Sequence, residues 1–258
     1  MQRRIQAVLL AACMVLAMES QAFAEPVAIA WEAKLSPTID GKLDEWNLSS
    51  PIVLEREEQV NKDLAYWEGP DDASARFYVM WDEKNLYLAG QILDDVPFQR
   101  FMPFGLDVDI DALALYLSTN PDADPNRILY EPTDFRVLFA LDNDMFDTAL
   151  DRDKVLIKKG IETRGMSGYE AVLKGYEVAL VTSPGGYTVE MKVPLANFSS
   201  SSLPALRPKA GMKIGFNIEL YDLDQACPGS VAPSLSWAPG PNKPAPKYWG
   251  TLHFQSGQ

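Results

Sequence analysis

Residues 75–93 constrain the fold of this chain more strongly than any other segment. They contain two runs with high β propensity, Phe77–Trp81 and Leu86–Leu93, both rich in aromatic and branched residues. The four residues that separate the runs, Asp82 to Asn85, are all polar and have the composition of a short turn. This pattern predicts a β-hairpin.

The register of the hairpin follows from the alternation of side chains along a strand. One face carries the predicted cross-strand pairs Trp81 with Leu86, Val79 with Leu88 and Phe77 with Gly90. The other face carries Tyr78, Met80, Tyr87 and Ala89. Because both faces are apolar, the hairpin needs a further layer on each side, and we expect it at the centre of an all-β domain.

Short strands separated by turn residues continue along the rest of the chain, without a long helical periodicity. The predicted strands are 26–31, 111–117, 135–141, 169–181, 186–193, 212–221 and 248–254. Such a series is typical of an antiparallel β-sandwich of two packed sheets, of the immunoglobulin-like or jelly-roll type. We interpret residues 25–258 as one domain, in which the Asp- and Lys-rich segment 142–170 is either a lid or a long acidic loop.

The N-terminus has the pattern of a secretory signal peptide over residues 1–24. A basic start is followed by an apolar run, Val8–Met18, and by the small-x-small site Ala22–Ala24. The run is too short for a membrane span. We therefore expect a periplasmic or extracellular protein; the alternative is a lipoprotein acylated at Cys13, because Leu10–Cys13 resembles a lipoprotein box.

Composition excludes several classes of function. The net charge of −13 argues against binding to nucleic acid or to anionic membranes and suits a protein that holds calcium. After cleavage only Cys227 remains, so no internal disulfide is possible. A single histidine, His253, and the absence of a zinc-ligand spacing or a phosphate-binding loop give catalysis little support. A glycosidase function remains an alternative only because the chain has many carboxylates, two of which could form a catalytic pair.

Several segments, in order, resemble the family 9 carbohydrate-binding module and its DOMON-like relatives. These are 38–46 (TIDGKLDEW), 81–88 (WDEKNLYL), 111–117 (DALALYL), 186–194 (GYTVEMKVP), 211–217 (GMKIGFN) and 249–252 (WGTL). In the third segment Ala114 or Leu115 stands where the family often has an acidic residue. The resemblance covers nearly all of the chain after residue 24 and implies the sandwich fold.

The resemblance implies a ligand less specifically than a fold. It favours an exported, non-catalytic carbohydrate-binding protein, linked to polysaccharide catabolism. One alternative is a haem-binding electron-transfer subunit, for which Met80, Met102, Met191, Met212 and His253 could ligate iron. Another is a structural interaction module of the cell envelope.

Aromatic residues in or near loops are the candidate sugar-binding side chains, because a pyranose ring stacks its C–H face on an aromatic ring. The candidates are Trp67, Trp237, Tyr248 and Trp249. Trp237 lies in a loop rich in Pro and Gly, where a side chain can be presented to a ligand. The alternative for Trp249, as for Trp31, Trp46 and Trp81, is packing in the core.

Acidic residues lead us to expect a structural calcium site. The alternate spacing of Asp107, Asp109 and Asp111 resembles a calcium loop, but Ala112 and Ser118 replace the Gly and Glu that an EF-hand requires. We therefore expect ligands from separate loops, with the candidates Asp94, Asp95, Asp107, Asp109, Asp222 and Asp224. The alternative is a solvated acidic rim.

Overall fold

The computed structural model describes residues 25–99, 110–141, 155–161, 165–166, 171–199, 204–225, 227, 231–238, 240 and 245–257. The predicted signal peptide with Cys13, the candidates Met102, Asp107 and Asp109, and most of segment 142–170 lie outside these residues. Within the described part of the chain, no helix has the length and apolar composition needed to cross a membrane.

The described residues form strands joined by loops and short 3-10 turns. The strands are β1 Val27–Glu32, β2 Ile52–Leu54, β3 Val60–Lys62, β4 Ala73–Trp81, β5 Asn85–Asp94, β6 Ala112–Ser118, β7 Asp134–Ala140, β8 Val155–Ile161, β9 Gly165–Met166, β10 Ala171–Val172, β11 Glu177–Ser183, β12 Gly186–Pro194, β13 Lys213–Tyr221, β14 Ser234–Ser236 and β15 Gly250–Gln255. The 3-10 turns are Glu57–Gln59, Leu64–Tyr66, Leu195–Phe198 and Pro246–Tyr248. The all-β prediction is confirmed.

The strands are hydrogen-bonded in the order β10-β8-β7-β6-β13-β15-β1-β4-β5-β12-β11. Strand β13 connects the two layers of the sandwich: its first residues pair with β15, whereas the stretch from Phe216 to Tyr221 pairs with β6. The core lies between the layers, because side chains of β6, β7 and β13 belong to the same buried apolar cluster as those of β4, β5 and β12.

Strand β1 corrects the expectation of a purely antiparallel sandwich. It lies parallel to both of its neighbours, β15 and β4. A parallel pair needs a long crossover, and the connection from Glu32 to Ala73 supplies one. The first and last strands of the described chain therefore lie side by side in one sheet.

The predicted hairpin and its register are confirmed. Strands β4 and β5 pair with Trp81 opposite Leu86, Val79 opposite Leu88 and Phe77 opposite Gly90. Those side chains belong to the main core, and Tyr78, Met80, Tyr87 and Ala89 form a second cluster with Trp46 on the other face.

The turn of the hairpin is held by the carboxylate of Asp82. It accepts hydrogen bonds from the backbone N–H groups of Lys84 and Asn85, both at 2.7 Å, and from the Tyr87 hydroxyl at 2.5 Å. Burial alone would raise the pKa of Asp82, but these hydrogen bonds lower it overall. The segment WDEKNLY is therefore a structural motif, in which Trp81 packs in the core and also donates its indole N–H to the carbonyl of Ala30 at 3.1 Å.

A buried carboxylate joins two of the recognised segments, TIDGKLDEW and GYTVEMKVP. Glu190 on β12 has no exposed surface. It accepts hydrogen bonds from the backbone N–H of Asp40 at 2.8 Å, from that of Gly41 at 2.5 Å and from the indole N–H of Trp46 at 2.5 Å. The contact spans about 150 positions of the chain, so the sequence of either segment could not predict it alone.

Two short strands, β3 and β14, lie in segments for which the sequence analysis predicted no strand. Strand β14 lies within 222–242, and β3 lies within 55–74; they pair with each other, and β14 also pairs with β13. Runs of three residues are too short to show an alternating pattern, which is why the sequence did not reveal them.

Candidate functional site

A group of polar side chains lies on one face of β6, β7 and β13; we call it the polar face, and two of its members, Tyr116 and Tyr221, also belong to the main buried cluster. It consists of Tyr116, Arg136, Asn217, Glu219 and Tyr221. Asn217, Tyr116 and Arg136 lie opposite one another on three neighbouring strands. Because side chains alternate along a strand, Glu219 and Tyr221 point to the same side as Asn217.

The carboxylate of Glu219 is the centre of this group, with 2% of the residue exposed. One carboxylate oxygen accepts hydrogen bonds from the hydroxyls of Tyr116 at 2.9 Å and Tyr221 at 2.7 Å. The other accepts from the Ser234 hydroxyl at 2.9 Å and the Asn61 amide at 3.3 Å. Four donors saturate the carboxylate, so its role is to orient these side chains rather than to meet a ligand itself.

Arg136 lies at the outer side of the polar face and is half-buried. Its guanidinium donates to the Tyr221 hydroxyl at 3.2 Å and lies over the rings of Tyr116 and Tyr221, 5.7 and 5.9 Å from their centroids. Burial raises the pKa of both phenols, and the charge of Glu219 raises them further. Both tyrosines therefore stay protonated and act as donors to Glu219.

Trp249 lies next to the polar face but offers little surface to a ligand. It is 4% exposed and packs against the rings of Tyr116 and Tyr130, with the Arg127 guanidinium 5.7 Å from its centroid. Arg127 in turn forms a bidentate pair with the buried carboxylate of Asp134. Packing, the alternative considered for Trp249, is what its surroundings show.

The other aromatic candidates are half-buried. Trp237 packs against Phe216 at 6.1 Å and covers Gly250, where a Cβ atom would lie 2.7 Å from its ring. Tyr248 lies over Gly240 in the same region. Trp67 lies elsewhere, and its indole N–H donates to the carbonyl of Ala73 at 2.9 Å. The structure thus groups Trp237, Tyr248 and Trp249 and separates Trp67 from them.

A second constellation lies where several strands end; we call Asp72, Asp94, Asp111, Asp222 and Asp224 the acidic cluster. Carboxylate oxygens of Asp94, Asp111 and Asp222 lie within 4.8 Å of one another, as do those of Asp72, Asp222 and Asp224. Asp222 belongs to both groups. Backbone N–H groups orient Asp111, since Gln99 donates at 2.6 Å and Leu223 at 2.7 Å.

The electrostatics of the acidic cluster are unfavourable without a cation. Burial, and then the neighbouring carboxylates, raise the pKa of Asp94 to about 7 and that of Asp222 to about 8. Burial also raises the pKa of Asp111 well above its ordinary value. In addition Oδ2 of Asp222, Oδ1 of Asp224 and the hydroxyl of Tyr187 are buried with no hydrogen-bond partner among the described residues.

This donor set fits a hard divalent cation. Ca²⁺ is bound by six to eight oxygen ligands, and a cluster of carboxylates with unpartnered oxygens supplies them. Of the sequence candidates, Asp94, Asp222 and Asp224 come together, whereas Asp95 is exposed beside them. Asp107 and Asp109 lie outside the described residues.

The sequence analysis did not include Asp72 and Asp111 among the calcium candidates. A signal for Asp72 was present, because the predicted hairpin register, extended by four pairs, places Ala73 opposite Asp94. Asp72 then lies beside that pair at the hairpin's open end. Asp111 directly precedes β6, and its proximity to Asp222 depends on the pairing of β6 with β13.

Two of the candidate haem ligands lie in different apolar clusters. Met191 is fully buried in the main core, whereas Met80 belongs to the cluster with Trp46 on the opposite face of the sheet. These two sulfur atoms therefore cannot ligate one iron. Met212 packs on the edge of the core, and His253 lies half-buried on β15.

Comparison with known proteins identifies the family. A family model described as "Carbohydrate family 9 binding domain-like" matches residues 39–256. An endo-1,4-beta-xylanase A of Thermoanaerobacterium saccharolyticum is 24% identical over 188 residues, which are 72% of this chain and 11% of that enzyme. The chain therefore spans about a tenth of that curated relative.

Solved structures share the fold. A family 9 carbohydrate-binding module of Caldicellulosiruptor kristjanssonii in complex with cellotriose has a TM-score of 0.58 at 17% identity, over 90% of this chain and 95% of that chain. A putative carbohydrate-binding protein of Bacteroides uniformis has a TM-score of 0.56 at 13% identity, over 90% and 100%. With the family match over most of its length, the chain belongs to the carbohydrate family 9 binding domain-like family.

Proposed function

We propose that this protein binds carbohydrate without catalysing a reaction and that the sugar lies on the polar face. The observation that carries the proposal is the set of hydrogen bonds by which Glu219 orients Tyr116 and Tyr221, in a chain that belongs to this family. A solved module with the same fold binds cellotriose, which makes short β-linked glucose oligosaccharides the first ligands to test.

The chemistry of the polar face suits sugar hydroxyls. Glu219 holds two phenol hydroxyls and the Asn61 amide in place. The phenols are buried, so the half-buried Asn61 and Arg136 side chains supply the polar groups with exposed surface, and the Asn61 amide oxygen can accept from a sugar hydroxyl. The guanidinium of Arg136 can donate in a fixed geometry. Groups that are already oriented lose little entropy when a ligand binds, so a small set of them can give useful affinity.

Calorimetry with cellotriose tests the site through Arg136→Ala. Losing one charged hydrogen-bond donor costs about 1.5–3 kcal/mol of binding free energy, so we expect affinity to fall by about tenfold or more. The control is Arg76→Ala, because Arg76 is an exposed arginine on β4 paired with Glu55 at 3.2 Å. Equal affinities for the two variants would refute the placement of the sugar on the polar face.

The loop tryptophans remain a separate prediction for the same ligand. Trp237→Ala and Trp67→Ala are measured beside Arg136→Ala, with a thermal melt of each variant, because both side chains also pack against the core. If a variant remains folded and its affinity for cellotriose falls, the result supports stacking of the sugar on that tryptophan. Unchanged affinity in a folded variant would remove it from the site.

We also propose that the acidic cluster binds one structural Ca²⁺ ion. The unpartnered, buried Oδ2 of Asp222 supports this proposal, because an orphaned carboxylate oxygen in such a site is costly unless a cation neutralises it. The ion would be held by Asp222 with Asp94, Asp111, Asp72 and Asp224. It would tie together the loops in which these residues lie.

Thermal unfolding with Ca²⁺ and with a chelator tests the calcium proposal. A ligand present at a hundred times its dissociation constant stabilises a fold by about 2.7 kcal/mol, which corresponds to a rise in Tm of several degrees. We expect Asp222→Asn to abolish this rise and Asp44→Asn, an exposed control, to keep it. If Ca²⁺ leaves the Tm of the unmodified protein unchanged, the proposal fails.

We propose finally that the protein is exported and works beside polysaccharide-degrading enzymes. The pattern of residues 1–24 supports export, and the similarity to part of a xylanase supports the second statement. The intact mass of the mature protein tests the first. A chain that starts at Glu25 agrees with cleavage by signal peptidase, whereas an acylated Cys13 would show a lipoprotein.

A further inference from the structure

An open cavity of about 530 Å³ lies at the end of the sandwich that carries the hairpin turn. Its walls are the turn itself, the end of β12 with the 3-10 turn that follows, residue Gly175, and the segment that leads into β13. We call it the cationic cavity. Its volume is within the range of pockets that hold small ligands.

Hydrogen bonds between the wall segments keep the cationic cavity in shape. The backbone N–H of Leu195 donates to the carbonyl of Lys84 at 2.8 Å, which joins the hairpin turn to the end of β12. The side chain of Asn197 donates to the carbonyls of Pro194 at 2.8 Å and Lys174 at 2.9 Å. Because these contacts fix the walls relative to one another, little ordering is needed when a ligand binds.

The charge of this cavity is opposite to that of the chain. Its rim carries Lys84, Lys192 and Arg207 against one acidic residue, Glu83, in a protein of net charge −13. Lys192 is paired with Glu177 at 2.6 Å. Within the described part of the chain, Lys84 and Arg207 are exposed and have no ion-pair partner, so two cations remain for a ligand.

The cationic cavity is also far from the acidic cluster. Asn85, which lines the cavity, begins β5, and Asp94 of the acidic cluster ends it. Ten residues of extended strand separate the two ends by about 30 Å. The cations of the cavity and the acidic cluster therefore lie at opposite ends of β5, and their separation exceeds the screening length of physiological salt, about 8 Å.

The floor of the cavity is apolar. Its apolar surface comes from Ala196, which is exposed, and from the half-buried Pro194 and Ala205, whereas Leu195 and Leu206 are buried. A floor of this kind suits the C–H face of a sugar ring, and cations at the rim suit carboxylate groups on the ring. Inorganic anions would use only the rim.

We infer that the cationic cavity is a second binding site, which takes an acidic oligosaccharide with carboxylate groups, such as a chain of uronic acids. The inference rests on the proposed function, since it assumes that the ligand is a sugar. Arg207 and Lys84 bind the carboxylates, and the apolar surface of Pro194, Ala196 and Ala205 contacts the ring. The polar face, which belongs to a different part of the sheet, takes neutral sugar.

The test uses the full mature chain, with trigalacturonate and cellotriose as separate probes in calorimetry. We expect Arg207→Gln and Lys84→Gln each to weaken trigalacturonate binding by about fivefold or more and to leave cellotriose binding unchanged. Lys213→Gln, at an exposed lysine on β13, is the control for the loss of one charge. Affinity for trigalacturonate should also fall as salt rises from about 0.01 M to about 0.15 M.

The outcomes separate this inference from the proposed function. If cellotriose binds and trigalacturonate does not, the second site is refuted and the proposed function stands. If trigalacturonate binding is lost in Arg136→Ala and kept in Arg207→Gln, the acidic sugar uses the polar face and the inference is overturned. Equal competition by inorganic phosphate overturns it too, because the site would then recognise charge and not sugar. If neither probe binds, both proposals fail.

Discussion

Replacing Glu190 by Gln should be among the most destabilising single changes in this protein. Three buried or part-buried N–H groups donate to this carboxylate at 2.5 to 2.8 Å, and they belong to the segment that covers the outer face of the hairpin sheet. Glutamine keeps the shape but has only one acceptor oxygen, and its amide group would face N–H donors.

The magnitude follows from the number of lost contacts. A hydrogen bond to a charged group contributes about 1.5–3 kcal/mol, and a buried donor without a partner costs about 1–3 kcal/mol. With one or two of the three donors left unsatisfied, we expect Glu190→Gln to lower the free energy of unfolding by about 2–4 kcal/mol. That is a large part of the usual total of about 5–15 kcal/mol.

Urea unfolding followed by tryptophan fluorescence and circular dichroism measures the loss. Glu45→Gln is the matched control, because Glu45 is exposed and accepts hydrogen bonds from one residue, Thr38; its cost should stay below about 1 kcal/mol. A double-mutant cycle with Trp46→Phe, which removes one donor, should show coupling above about 1 kcal/mol. Equal costs for the two glutamine variants, or strictly additive effects in the cycle, would refute the role assigned to Glu190.

Two further predictions concern the β4–β5–β12 sheet. Gly186→Ala should destabilise the protein by several kcal/mol, because at φ +155 the new Cβ would lie 2.0 Å from the carbonyl oxygen of Ile92. In Gly185→Ala the new Cβ meets open space, so this variant should cost only about 1 kcal/mol for its positive φ. Thermal melts of the two variants compare them directly. Burial, and then the hydrogen bond to Asp82, raise the pKa of Tyr87 to about 12, so its stabilising contribution is complete below pH 10 and is lost as pH rises through 12. The stability difference between the unmodified protein and Tyr87→Phe should therefore narrow over that range in urea titrations, and a constant difference would contradict this assignment.

The hairpin shows how much of the structure can be predicted from local sequence pattern. Its register could be predicted because alternation and turn composition act between residues that are close in the chain. The same register also implies that Asp72 lies close to Asp94, although Asp72 was not among the predicted calcium ligands. By contrast, the parallel pairing of β1 with β15 joins the two ends of the described chain, and no local pattern encodes it.

The candidate sites follow the same division. Residue types predicted a calcium site of separate loops, but Asp111 and Asp222 meet only because β6 pairs with β13. Loop tryptophans were the natural sugar candidates, because aromatic residues next to Gly and Pro are recognisable in a sequence. The polar face could not be recognised in the sequence, because Tyr116, Arg136 and Glu219 lie in apolar strands. They look like ordinary strand residues until the strands are placed side by side.

By itself, the sequence determined the all-β class, the central hairpin with its two faces, and the family to which the chain belongs. These depend on short-range alternation, turn chemistry and the order of segments. Tertiary structure decided which side chains converge: the Glu190 contacts, the polar face, the acidic cluster and the cationic cavity. The physical reason is that a pairing between distant strands is selected by burial summed over the whole sandwich, a quantity that no single segment of the sequence contains.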